Sequence, residues 1–125
     1  MAATKTRTSL WSAQTLTAGA GNTTSAVIDL SAAYGAQIDI KITNGASGPT
    51  IAAQAQIVVG ADYNAGSPTL LTNFGGPLVG SVVNSAISYF SVEIPIGVES
   101  VEVVAGSNTG QNVTIDADIS KVTGI

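Results

Sequence analysis

Neither cysteine nor histidine occurs in the 125 residues, and the two absences together remove much of enzyme chemistry. No disulfide can staple the fold and no thiolate can act as a nucleophile. The commonest general base and the usual nitrogen and sulfur ligands of zinc are gone with them. Cations are nearly as scarce. Lys5, Arg7, Lys41 and Lys121 stand against eight acids, for a net charge of −4, so there is no basic stripe to neutralise phosphates. Nucleic acid is not an expected partner. No apolar run approaches the roughly 18 residues of a membrane span, and no apolar stretch follows the basic residues at the start as a secretory signal requires. The expectation is a soluble chain made in the cytoplasm, with no membrane partner. Also missing are a glycine-rich loop leading into Lys-Ser/Thr, a G-x-S-x-G elbow and a dinucleotide fingerprint, so no cofactor is expected.

What is present describes strands. Hydrophobic residues make up 45% of the chain and charged residues 10%, far below the roughly 25% charged of an ordinary domain, and too apolar for a disordered one. In Gln37–Thr43 the isoleucines at 38, 40 and 42 alternate with polar residues, the period of a half-buried strand. Asn112–Ser120 repeats the design, with Val113, Ile115, Ala117 and Ile119 inward and Asp116 and Asp118 outward. Further strands are predicted at Thr8–Thr17, Thr24–Leu30, Ala53–Val59, Tyr89–Ile96 and Ser100–Val104, with a weaker one within Leu78–Val83 and with Phe90, Val92, Ile94, Val101 and Val103 inward. Turn signals at Asn44-Gly45, Gly97 and Ser107–Gly110 separate them, and Ser31–Gly35 reads as a single helical turn at a corner. About eight strands at this spacing predict one antiparallel β-sandwich, jelly-roll-like, over residues 1–125. Residues 1–8 are too polar for a core and read as an extended N-terminal arm, either free or ordered on a neighbouring subunit.

The acids offer little chemistry. Asp116 with Glu93 is a conceivable glycosidase pair, and Asp116 with Asp118 a conceivable cation pair. Each acid in a clear strand, however, sits on the polar side of its alternation, where a solubilising charge belongs. Neither an enzyme nor a metal site is expected. The candidate interface residues are Lys5, Arg7, Trp11, Tyr63, Asn64 and Phe74. The two cations oppose the charge of the body. Trp11, the only tryptophan, suits an interface anchor but is better placed in a core. Tyr63, Asn64 and Phe74 fall in Asp62–Pro77, an aperiodic segment too long for a simple connection.

Ser25–Ser31, Tyr34–Gly45, Gly48–Thr50, Gly106–Ala117 and Val122–Ile125 together resemble small tailed-bacteriophage virion proteins of the capsid decoration, or cement, type. The likeness covers the first and last thirds of the chain. It implies a β-sandwich on the outside of an icosahedral capsid that bridges major capsid protein subunits, commonly as a homo-oligomer, and it brings no catalytic residues. The expected function is therefore capsid stabilisation in the virion. The alternative is a tail, neck, receptor- or carbohydrate-binding role, for which Tyr63, Phe74 and Tyr89 would have to cluster as exposed aromatics.

Overall fold

A strand that must bury one face and wet the other pairs best with another of the same design, and the two clearest alternating segments lie side by side. The computed structural model describes residues 3–60 and 72–124. Its strands are β1 (Thr4–Leu16), β2 (Thr23–Thr24), β3 (Ile28–Asp29), β4 (Ala36–Asn44), β5 (Gln54–Gly60), β6 (Thr72–Asn73), β7 (Leu78–Val79), β8 (Ile87–Ile94), β9 (Ser100–Gly106) and β10 (Val113–Gly124). One sheet runs β1-β10-β4-β8. The other runs β2-β9-β5-β6, with β3 also on β9 and β7 also on β5, and all pairings are antiparallel. If β2 with β3, and β6 with β7, each count as one interrupted strand, the chain visits eight positions, in order 1-8-3-6 and 2-7-4-5. This is the jelly-roll order.

The core lies between the sheets. Ile38, Ile40 and Ile42 on β4 face Ile119, Ala117 and Ile115 on β10 across the ladder, and all six are buried. From the second sheet Ala55, Ile57, Val101, Val103 and Ala105 close the layer. Burying each large aliphatic side chain stabilises the fold by about 1.5–3 kcal/mol. The row Trp11, Ala117, Ile40, Phe90 runs across the whole first sheet, and the methyl of Ala117 leaves room for the two large neighbours beside it.

Strand β1 reaches further than its sequence suggests. Thr4 pairs with Gly124 and Lys5 with Val122, so the residues expected as an arm are in the sheet from Thr4 onward, because β10 continues far enough to pair with them. Three irregularities interrupt the register, at Thr4/Lys5, Ser9/Trp11 and Trp11/Gln14. A bulge adds a residue to one strand and reverses which face the following residues occupy. Arg7 and Ser9 point outward, and the bulge at Ser9/Trp11 turns Trp11 inward, where it is 8% exposed. At Trp11/Gln14, Ala13 takes a left-handed φ of 50°, and its N–H donates to the Asp116 carboxylate at 2.8 Å.

Two further expectations change. Thr24–Leu30 is not one strand but the short β2 and β3 on the edge of β9. Between them the Ser25 hydroxyl donates to its neighbour's carbonyl at Ala26 and accepts from the Val103 N–H. Ser31–Gly35 forms a hydrogen-bonded turn, Ala33 N–H to Leu30 carbonyl at 3.0 Å, and not a helix. It is Asp29, not Ser31, that caps it, accepting the Ser31 N–H at 2.8 Å. Gly35 does take the expected left-handed conformation, at φ 107°, with the Ile94 carbonyl 3.2 Å from where a Cβ would stand.

Candidate interaction surface

The outward residues of the first sheet form a polar ladder. Arg7 donates to the Asp118 carboxylate, from Nε at 3.1 Å and also from Nη2. Lys41 Nζ stands 3.9 Å from Asp116, whose other oxygen holds the β1 bulge. Asp39 accepts the Ser91 hydroxyl at 2.6 Å and the Gln37 amide at 2.9 Å, and these two hydrogen bonds hold its carboxyl below the usual carboxylate range. Between Arg7, Lys41 and Tyr89 lies an open depression of about 470 Å³. Arg7 and Lys41 are paired with Asp118 and Asp116 and Asp39 is held by two neutral donors, and among the described residues no three acids converge to hold a metal. The second sheet's outer face carries Gln54, Gln56 and Glu102 instead, and desolvation alone pushes the Glu102 carboxyl up.

The apolar surface is elsewhere. Of the nine exposed large apolar side chains among the described residues, six fall between positions 79 and 96: Val79, Val82, Val83, Ile87, Tyr89 and Ile96. Val82, Val83, Ile87 and Tyr89 belong to β8 and the loop leading into it, whereas Val79 lies on β7 and Ile96 follows the end of β8. The loop is held firmly. The side chain of Asn44, buried at the end of β4, donates to the carbonyls of Ser81 at 2.8 Å and Val83 at 2.9 Å. Gly48 N–H donates to the Asn84 side chain at 2.7 Å, and Ser85 N–H to the Gly45 carbonyl at 2.7 Å. Gly48 is so close that an added Cβ would stand 2.0 Å from the Val82 carbonyl oxygen. With its backbone tied to the β4 turn, the loop presents Val82 and Val83 to solvent, Val83 at 62% exposed.

Strand β8 itself is an open edge among the described residues. Asn44 N–H donates to the Ala86 carbonyl at 2.9 Å. Hydrogen-bonded pairs alternate along an antiparallel ladder, so the even positions of β8 bond to β4. The backbone groups of Ile87, Tyr89, Ser91 and Glu93 point away from the sheet. On the outer face Ile87 is 50% and Tyr89 72% exposed.

The residues singled out from sequence do not come together. Lys5 and Arg7 lie on β1, at the opposite edge of the first sheet from β8. Trp11 is in the core, and Phe74 is half-buried against it. Tyr63 and Asn64 lie outside the described residues. Ile87, Val82 and Val83 are not among the candidate interface residues expected from sequence. A cluster of apolar residues with no inward partner, Val82-Val83 followed by Ile87, was the available signal.

These features define an all-β jelly-roll sandwich with polar outer faces and one apolar strand edge. No family model matches the chain, and no curated protein matches it either. Among solved structures it is similar to the SPBc2 prophage-derived protein YomS, with a TM-score of 0.51 and 16% identity over 96% of each chain. It is similar also to VP2 in a subviral particle of infectious bursal disease virus, with a TM-score of 0.58 and 12% identity over 97% of this chain and 33% of that one. A third likeness is to the K3 adhesin domain of Lys-gingipain from Porphyromonas gingivalis w83, with a TM-score of 0.51 and 12% identity over 76% of this chain and 62% of that one. The chain thus spans about a third of VP2 and under two thirds of the adhesin domain. At these identities the shared property is the fold.

Proposed function

We propose that this chain is a non-enzymatic structural protein of a bacteriophage particle that sits on the capsid surface, binds major capsid protein subunits and stabilises the shell. The observation that carries a binding role is the division of the surface. On the open sheet face Arg7 pairs with Asp118, Lys41 with Asp116, and Asp39 accepts from Ser91 and Gln37, while Val82, Val83, Ile87 and Tyr89 are exposed along β8 and the loop leading into it. Gathered apolar surface on a small soluble fold marks a place where another protein docks. The choice of a capsid as partner is supported by the sequence resemblance and by the fold shared with a viral capsid protein and a prophage protein of the same extent.

A receptor- or sugar-binding role would be favoured by aromatics clustered at one end. Phe74 packs on the core and Tyr89 stands on the flat of a sheet, so these two supply no such cluster. The test is thermal disassembly of capsids lacking the protein, with and without saturating amounts added. A ligand that binds only the assembled state raises its apparent stability. The proposal expects a higher disassembly temperature that depends on protein concentration, and an unchanged temperature at saturation would overturn it.

A further inference from the structure

An unpaired strand edge invites another strand, and folded proteins guard such edges with bulges, charges, short strands or covering segments. Among the described residues, three of the four edges are guarded. β1 carries bulges at Ser9/Trp11 and Trp11/Gln14, together with Lys5 and Arg7. The outer side of β9 bears only the two-residue β2 and β3, and that of β5 only the two-residue β6 and β7. The fourth edge, β8, runs eight residues in regular register with β4, has no bulge or proline, and has one charge, Glu93. Its open backbone groups and its exposed Ile87 and Tyr89 lie along one line.

We infer that β8 pairs antiparallel with β8 of a second copy about a two-fold axis at Ser91, joining two four-stranded sheets into one of eight. Opposed residues in an antiparallel pair lie on the same face, so the axis must fall on a residue and not between two. Centred on Ser91, the pairing sets Phe90 opposite Val92 of the second copy, both half-buried against their own cores, and extends the apolar layer across the junction. The strand's one charge, Glu93, then stands opposite Tyr89. Centring on Phe90 would put Glu93 against the exposed Ile87, and centring on Glu93 itself would oppose two carboxylates. Self-pairing in this register also explains why an edge with four outward N–H and four outward C=O groups carries no guard among the described residues. The inference does not depend on the capsid reading, because it concerns the free protein.

The test is the mass of the purified chain by sedimentation equilibrium, with three variants. The wild type is expected at twice the 12.4 kDa of one chain. Tyr89→Glu, a change at a mostly exposed position that places like charges opposite each other twice per dimer, is expected to weaken association roughly tenfold or more. Tyr89→Lys, which faces Glu93 of the second copy, is expected to keep the dimer. Because the chain has no cysteine, the two thiols of a Ser91→Cys dimer should be oxidised by dissolved oxygen to a single disulfide across the axis, visible on a denaturing gel as a dimer band without reductant that returns to monomer when reductant is added. A wild-type monomer at about 100 µM, a concentration at which even weak specific pairs form, would overturn the inference. So would a dimer that Tyr89→Glu leaves intact and Ser91→Cys does not cross-link.

Discussion

Asn44→Ala removes the side chain that fixes the loop leading into β8, and its cost can be worked from the structure. The amide makes two hydrogen bonds, to the carbonyls of Ser81 and Val83, from a position only 5% exposed. Each neutral hydrogen bond contributes a net of about 1 kcal/mol, and more if its partner is left dry. Here the loop is open to water, with Val83 largely exposed, so the freed carbonyls are rehydrated and the sum stays near 2 kcal/mol. For a domain of this size that corresponds to a fall in Tm of roughly 8 °C. Trp11, the only tryptophan and buried in the core, supplies the fluorescence signal for urea and thermal unfolding. A Tm within about 2 °C of wild type would refute the clamp, since it would mean that the two bonds contribute almost nothing net. A second variant sharpens the test. Gly48→Ala drives a Cβ into the Val82 backbone, 2.0 Å from the carbonyl oxygen and 2.8 Å from its carbon, and so displaces the same loop by another route. Its effect and that of Asn44→Ala should be clearly less than additive, because whichever acts first has already released the loop.

Other outcomes follow from the core, the charges and acid. Ile115→Ala empties a fully buried site on the central strand β10 and should cost about 2–5 kcal/mol in denaturant unfolding, the range for a large-to-small change in a packed core. Arg7→Ala breaks an ion pair whose arginine side chain is 71% exposed. It should lower stability only slightly in denaturant unfolding, and the difference should shrink in high salt. The Asp39 carboxyl is depressed in the folded state by Ser91 and then Gln37. It therefore contributes stability that is present above its unfolded value near 3.9 and is lost as pH falls through the folded value. Ser91→Ala should raise the Asp39 pKa, read by carboxyl-carbon NMR titration, and make the acid-side loss of stability shallower.

Much of the fold was legible because half-buried strands announce themselves. β4 and β10 each meet a core on one face and water on the other, so their isoleucines alternate and both faces could be assigned from sequence. The inward sets of β8 and β9 followed from the same rule. Asn44-Gly45 marked a real strand end, and Gly35 a real left-handed turn. β1 was legible only in part. Its bulges depend on Ala13 adopting a left-handed φ and on Asp116 reaching it from β10, and neither leaves a local signal in Ser-Leu-Trp-Ser-Ala. The candidate surface was the least legible part. That β8 is an edge depends on strand order, which alternation does not report, and the anchoring of Val82 and Val83 depends on an asparagine 37 and 39 residues away in sequence. Composition led to an expectation of binding over catalysis, but it could not say which edge would be left open among the described residues.

The central claim, that the chain acts by docking on a capsid, is tested most directly by co-sedimentation with purified capsids that lack it. The account predicts saturable binding that levels off at a fixed ratio to major capsid protein subunits, since a lattice offers a defined number of equivalent sites and many weak contacts add through avidity. Binding that never saturates, or no binding at micromolar concentration, would contradict it.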